Sequence, residues 1–212
     1  QCPIYYGYKV MSWPNYLVWN KSHANFIRGC NDNKASIKIV GPIYFSDITH
    51  DKLNIPKRSI AVFDITPYRL NQISSIVTLY NYYNSDIAVQ FLKLIQEMAY
   101  KNNFTILFKS KRDLDLLGSK AFIKYKNKYQ KLNNVIKIDS EMNAYHIIKN
   151  VKGVISMPFT STDIIAKDLN TPSIFYDPTK RINKNGFLIK NKNNNSNLIY
   201  SLKELDNWFK SL

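Results

Sequence analysis

Five short apolar runs, Ser59–Phe63 (SIAVF), Thr105–Phe108 (TILF), Val135–Ile138 (VIKI), Gly153–Ser156 (GVIS) and Ser173–Tyr176 (SIFY), limit what this chain can fold into. Runs this short and this uniformly apolar suit strands covered on both faces, as in a parallel sheet. Parallel neighbours need a crossover, and each gap supplies one. Behind Ser85, which is expected to cap it, Ile87, Phe91, Leu94, Ile95 and Met98 recur at three-and-four spacing until Asn102 and Asn103. A second helix is expected from about Ser119 to Lys131, and a short one from Asn143 to Asn150. A fourth has Thr160, Ser161, Thr162 and Asp163 at its start and Ile164, Ile165, Ala166 and Leu169 on its apolar side. Alternating β and α in this way predicts an α/β fold, a doubly wound parallel sheet with right-handed crossovers.

The flanks are less regular. Tyr16–Trp19, a helix from about Ser22 to Arg28 ending near Gly29, and Ser36–Val40 form a strand, helix, strand unit too small to bury a core alone. It reads as the closing part of a larger α/β domain. His50–Arg58 is polar, contains Pro56, and reads as a linker. The expected organisation is therefore 1–50 as the end of one α/β domain, 51–58 as linker, 59–190 as a Rossmann-like domain and 191–212 as a C-terminal helix. Leu198, Leu202, Leu205 and Phe209 would form that helix's stripe, with Trp208 beside it. Residues 70–84, rich in Tyr, Asn and Ser, are expected to be a loop with one helical turn.

Composition narrows the function. At 212 residues, with 45% hydrophobic and 14% aromatic content, the chain should be globular. Its start, QCPIYYGYKV, lacks both Met and the apolar core of a signal peptide, and suggests a processed chain or a piece of a longer one. No run of about 18 apolar residues could span a bilayer. Cys2 and Cys30 lie in no metal-spaced pattern, and His23, His50 and His146 are scattered, so no metal site and no disulfide framework is expected. Reduced thiols and a cytoplasmic location fit. Thirty Lys and Arg against fifteen Asp and Glu leave a formal charge of +15, which attracts anions, whether a substrate or an anionic membrane face. Nucleic acid is disfavoured: KAFIKYKNKYQK (120–131) interleaves Lys with aromatics but reads equally as a solvated helix. The abundance of Asn, Lys, Ile and Tyr also suggests a drift toward AT-rich codons, which would raise the charge without function.

Open parallel sheets bind ligands at the carboxyl ends of their strands, where strand order reverses. Four clusters fall at such ends: Asp64–Arg69, Lys109–Arg112, Ser156–Asp163 and Asp177–Arg181. Cations at one strand end and a hydroxyl-lined helix start at another make a site suited to a diphosphate or phosphodiester. The chain has no GxGxxG, no GxxxxGK[ST] and no GxSxG, so nicotinamide, P-loop and acyl-transfer readings lack their main support.

IKIVGPIYFSD (37–47), SIAVFDITPYR (59–69), FKSKRD (108–113) and VISMPFTSTDIIAKDLNTPSIFYDPT (154–179) together resemble bacterial surface or capsular polysaccharide biosynthesis glycosyltransferases of the GT-B type. The last stretch is also similar to CDP-glycerol glycerophosphotransferases. The resemblance implies a nucleotide-sugar donor, a glycan or lipid-linked acceptor, no bound metal or cofactor, and peripheral contact with an anionic membrane. It implies that Lys109, Lys111 and Arg112 meet the donor phosphates. Ser156, Thr160, Ser161 and Thr162 would hold phosphate or nucleotide, and Asp64, Thr66 and Arg69 would face the cleft. The last helix would pack back across that cleft. Transfer of a polyol phosphate from a CDP-alcohol, or a non-catalytic nucleotide- or polyanion-binding module, are the alternatives. No general base is assigned, because most of an acceptor half is missing.

Overall fold

In a computed structural model, residues 13–30, 35–41, 54–65, 67, 84–110, 118–158, 160–182 and 197–212 are described. The chain divides into two compact units, Gln1–Asp51 and Lys52–Leu212.

In the first unit, β1 (Asn15–Val18) pairs in parallel with β2 (Ser36–Ile39), and α1 (Lys21–Cys30) connects them. Asn20 accepts a hydrogen bond from the His23 amide at 2.9 Å, satisfying one of the donors that a helix start leaves open. Alternation along β1 turns Tyr16 and Val18 inward onto Ala24 and Ile27 of α1, and leaves Leu17 exposed. The helix runs through Gly29 rather than stopping before it, and ends with Cys30, a buried free thiol. Cys2 lies outside the described residues.

The second unit is a six-stranded, wholly parallel sheet in the order β5-β4-β3-β6-β7-β8. Its strands are β3 (Ser59–Phe63), β4 (Thr105–Lys109), β5 (Val135–Ile138), β6 (Gly153–Ser156), β7 (Ser173–Tyr176) and β8 (Leu198–Ile199). All five residues of β3 are buried, as a central parallel strand requires. Ile60 and Val62 of β3, Ile106 and Phe108 of β4 and Ile155 of β6 enter one core. There they meet α2 (Ser85–Lys101) through Ile87, Phe91, Leu92 and Ile95, α3 (Lys120–Tyr129) through Phe122 and Tyr129, and α6 (Leu202–Lys210) through Leu205 and Phe209. The alternate residues Ala61, Leu107 and Val154 are buried on the opposite face, where α5 (Thr162–Asp168) packs on β6 and β7 and against α4 (Ala144–Lys149).

Three details differ from the sequence reading. Asn84, not Ser85, caps α2: its side chain accepts from the Ile87 amide at 2.9 Å, while Ser85 Oγ donates to Ser119 Oγ at 2.5 Å and ties the starts of α2 and α3 together. Lys126, expected on a solvated helix face, is only 3% exposed. Ile164, expected on the buried side of α5, is 37% exposed, and Thr162 and Asp163 are buried instead.

The C-terminal segment differs most. Leu198 belongs to an added strand, β8, which pairs with β7, and the helix begins only after Ser201. Ser201 accepts from the Glu204 amide at 3.2 Å and Glu204 Oε2 accepts from the Ser201 amide at 2.9 Å, a reciprocal cap. Leu205 and Phe209 of α6 complete the main core. Asp206 fastens α6 to the end of α2, accepting from Lys210 Nζ at 2.6 Å and Asn102 Nδ2 at 3.0 Å and pairing with Lys101 at 3.2 Å. The bond from Lys210, then that from Asn102, hold its pKa well below the usual carboxylate range. Among the described residues no helix is long and apolar enough to cross a membrane.

Gly153 explains how α6 can lie so close to β6. A Cβ at this position would stand 2.8 Å from Trp208 Cη2 and Cζ2 and 3.1 Å from Leu212 Cδ1. Gly153→Ala is therefore expected to lower stability by about 1 to 3 kcal/mol through overpacking, and adding Trp208→Leu should restore part of the loss. Urea unfolding of the single and double variants measures both effects; additive losses would mean that the indole does not require the glycine.

Candidate active site at the carboxyl edge of the sheet

With β3 counted first in the second unit, the sheet order reads 3-2-1-4-5-6, and the chain changes direction of growth between β3 and β6. Their crossovers leave that junction on opposite faces, which opens a crevice at the carboxyl ends of these strands. Phe63 pairs with Lys109 on one side and with Ser156 on the other. Lys109 and Ser156 thus flank it at roughly 10 Å from each other, two strand spacings. The next residue, Asp64, is 4% exposed, and its amide donates to the Lys109 carbonyl at 3.3 Å. Asp64, Lys109 and Ser156 are brought together as the sequence suggested. Thr66, Arg69, Lys111 and Arg112 lie outside the described residues.

Lys109 is buried, and its ammonium donates to the Ser140 carbonyl at 2.6 Å and, more weakly, to the Ser110 carbonyl at 3.5 Å. It holds the loop after β5 against the end of β4 and places a positive charge beneath the crevice. The hydroxyls of Ser156 and Ser110 have a different status: each Oγ is buried and has no hydrogen-bond partner among the described residues. Two such hydroxyls, Ser156 at the end of β6 and Ser110 just past the end of β4, are costly in a finished core, and are what a site leaves for a ligand to satisfy. Ser110 stands inside the KSKR run, where the adjoining cations drew attention away from it.

The turn after β6 shows which of its hydroxyls can donate. Thr160 Oγ1 donates to the Met157 carbonyl at 3.1 Å and lies 3.0 Å from Thr162 Oγ1. Because a hydroxyl has one proton, Thr162 must be the donor in that second contact, so both protons are committed within the turn. Asp163 is likewise committed, accepting from Ser173 Oγ at 2.7 Å and pairing with Lys167 at 2.7 Å. Ser161 differs: it is exposed, and although it occupies the N-cap position of α5 its side chain makes no capping bond. Ser161 is thus the hydroxyl of this turn available to an incoming group. At seven residues α5 is short, so the donors of the turn and strand ends matter more here than its dipole.

Asp177, at the end of β7, does not serve the crevice. Its carboxylate is fully buried and closes its own turn, accepting from Thr179 N at 2.9 Å, Thr179 Oγ1 at 2.7 Å and Ile182 N at 2.9 Å. Beside it, burial and then the Asp177 charge push the Tyr176 phenol up to about 12, so it stays neutral. Among the described residues no cluster of His, Cys, Asp and Glu could hold a metal ion. Asp177→Ala should cost about 3 kcal/mol, since the buried Ile182 amide and the half-buried Thr179 amide lose a charged acceptor. Chemical denaturation of this variant checks the assignment; a loss below about 1 kcal/mol would return the carboxylate to the list of ligand groups.

A sequence profile described as "Polysaccharide biosynthesis PFTS motif protein" matches residues 1–209. None of the curated proteins compared with the chain matches it. One solved structure, titled "Crystal Structure of TarM", aligns over 92% of this chain at 13% identity with a TM-score of 0.43. The alignment covers 36% of that structure's chain, so this chain spans about a third of its length.

Proposed function

The chain belongs to the polysaccharide biosynthesis PFTS motif family, and from that membership we propose that its second unit binds the nucleoside diphosphate of an activated sugar, making the protein a glycosyltransferase or the donor-binding half of one. The observation that carries this reading is the change of strand order between β3 and β6, with the hydroxyls of Ser110 and Ser156, partnerless among the described residues, at the ends of the two strands that flank β3. In this reading Ser156 and Ser161 donate to the donor's phosphate or sugar oxygens, and Lys111 and Arg112 neutralise the diphosphate. Lys109 adds a fixed charge from below without leaving the Ser140 carbonyl. Asp64, Thr66 and Arg69 are assigned to the sugar side of the crevice. Stabilising the leaving phosphate with basic groups requires no metal ion. The acceptor is a glycan or a lipid-linked acceptor, and one that is lipid-linked would be met at a membrane surface.

Calorimetric titration with CMP, CDP, UDP and GDP tests the reading. One nucleotide should bind and keep most of its affinity at about 0.5 M salt, because contacts in a crevice are screened less than a diffuse field. Arg112→Ala should weaken that binding by about 1.5 to 3 kcal/mol, the range of a charge-assisted hydrogen bond. The control removes Lys124 and Lys128, two exposed charges of α3, and should leave affinity nearly unchanged. Ser161→Ala should lower affinity by about 0.5 to 1.5 kcal/mol while leaving the melting temperature unaltered, since no cap is lost. Equal affinities for Arg112→Ala and the lysine control, or binding only of polyanions that salt abolishes, would overturn the proposal.

A further inference from the structure

The amino edge of the sheet, opposite the crevice, carries a second cleft of about 580 Å³. Two helix-to-strand turns form it. One follows α2 with Asn102 and Asn103 before β4, and the other follows α3 with Asn133 and Asn134 before β5. Pairing of β4 with β5 sets the turns side by side, and the Ile106 amide donates to the Asn134 carbonyl at 2.8 Å.

The lining is neutral in a chain of charge +15. Lys101 is the charged residue among those lining the cleft, and Asp206 pairs with it at 3.2 Å. Tyr100 is 69% exposed. Among the described residues its ring and phenol have no partner, and neither do the side-chain amides of Asn103 and Asn133. Asn103 is left-handed at φ 58°, which suits its turn and explains the residue type there. That requirement does not explain Asn134. Its Oδ1 accepts from Gln96 Nε2 at 3.1 Å, and its Nδ2 is a buried donor with no partner. A wide cleft whose one lining charge is paired, with one open aromatic face and the uncommitted amides of Asn103 and Asn133, matches a ligand that has apolar C–H faces and many hydroxyls. Each carboxamide can donate to one hydroxyl and accept from its neighbour, and the ring can cover the C–H face.

We propose that this cleft binds a neutral glycan, a segment of about two pyranose units, and so holds a carbohydrate chain at the edge of the sheet remote from the crevice. The assignment rests on the cleft's own chemistry and not on nucleotide binding, so the two readings fail separately.

The ¹⁵N-labelled chain titrated with cellobiose, maltose and N,N′-diacetylchitobiose, each to about 10 mM, gives the test, since sites of this kind bind weakly. At least one disaccharide should shift amides of 100–105 and 133–135 while leaving 156–162 unmoved. Tyr100→Ala should weaken that binding about three- to tenfold, and Tyr100→Phe should retain it, with unchanged melting and unchanged nucleotide affinity. Asn134→Asp keeps the acceptor for Gln96 but removes the donor, and should also weaken binding. Absence of shifts with all three sugars, or equal binding by wild type and Tyr100→Ala, would overturn the proposal whatever the nucleotide titration shows.

Discussion

The second unit depends on the burial of β3 between two other parallel strands and two layers of helix. A parallel strand cannot be closed by a hairpin, so every neighbour must arrive through a crossover. β4 and β5 were added on one side, and β6, β7 and β8 on the other. Right-handed crossovers then put the helices of the two halves on opposite faces, and the crevice at the carboxyl end of β3 is what remains between them. The same handedness that covers both faces of the sheet therefore also creates its ligand edge.

Most strands were legible because full burial removes polar alternation. SIAVF, GVIS and SIFY coincide with β3, β6 and β7 to the residue, and TILF lacks only Lys109; VIKI also coincides with β5, although Ile136 and Lys137 of that edge strand are exposed. Failures came where one pattern imitated another. Leu198 stands four residues before Leu202, as a helical stripe would, yet it is a strand residue. The S-x-x-E signature of Ser201 and Glu204 marked the true helix start. Asn84 and Ser85 are both good caps, and the long-range bond to Ser119, invisible in sequence, decided between them.

The site was legible as a place more than as a set of groups. Sequence predicts that strand ends bind ligands, but strand order, which selects the ends of β3 and β6, follows from packing. Hydroxyl counting also overstated the turn after β6, because Thr160 and Thr162 satisfy each other and the backbone, and Asp163 anchors Ser173. The same holds for Asp177, whose three bonds lie within five residues. Side chains that can fold back on their own turn do so before they serve a ligand.

The placement of α6 has a consequence for how the unit is made. Leu205 and Phe209 sit in the same core as Ile60 and Val62, so the earliest strand of the sheet and its last helix must meet before either is covered. Ribosomes add about 5 to 20 residues per second, so roughly seven to thirty seconds separate the synthesis of β3 from that of its final partner. During that interval the part of the core that Leu205 and Phe209 will cover stays open. Birth of this unit is thus a race between elongation and capture, in which slow translation of the α6 codons would favour a chaperone over the native sheet.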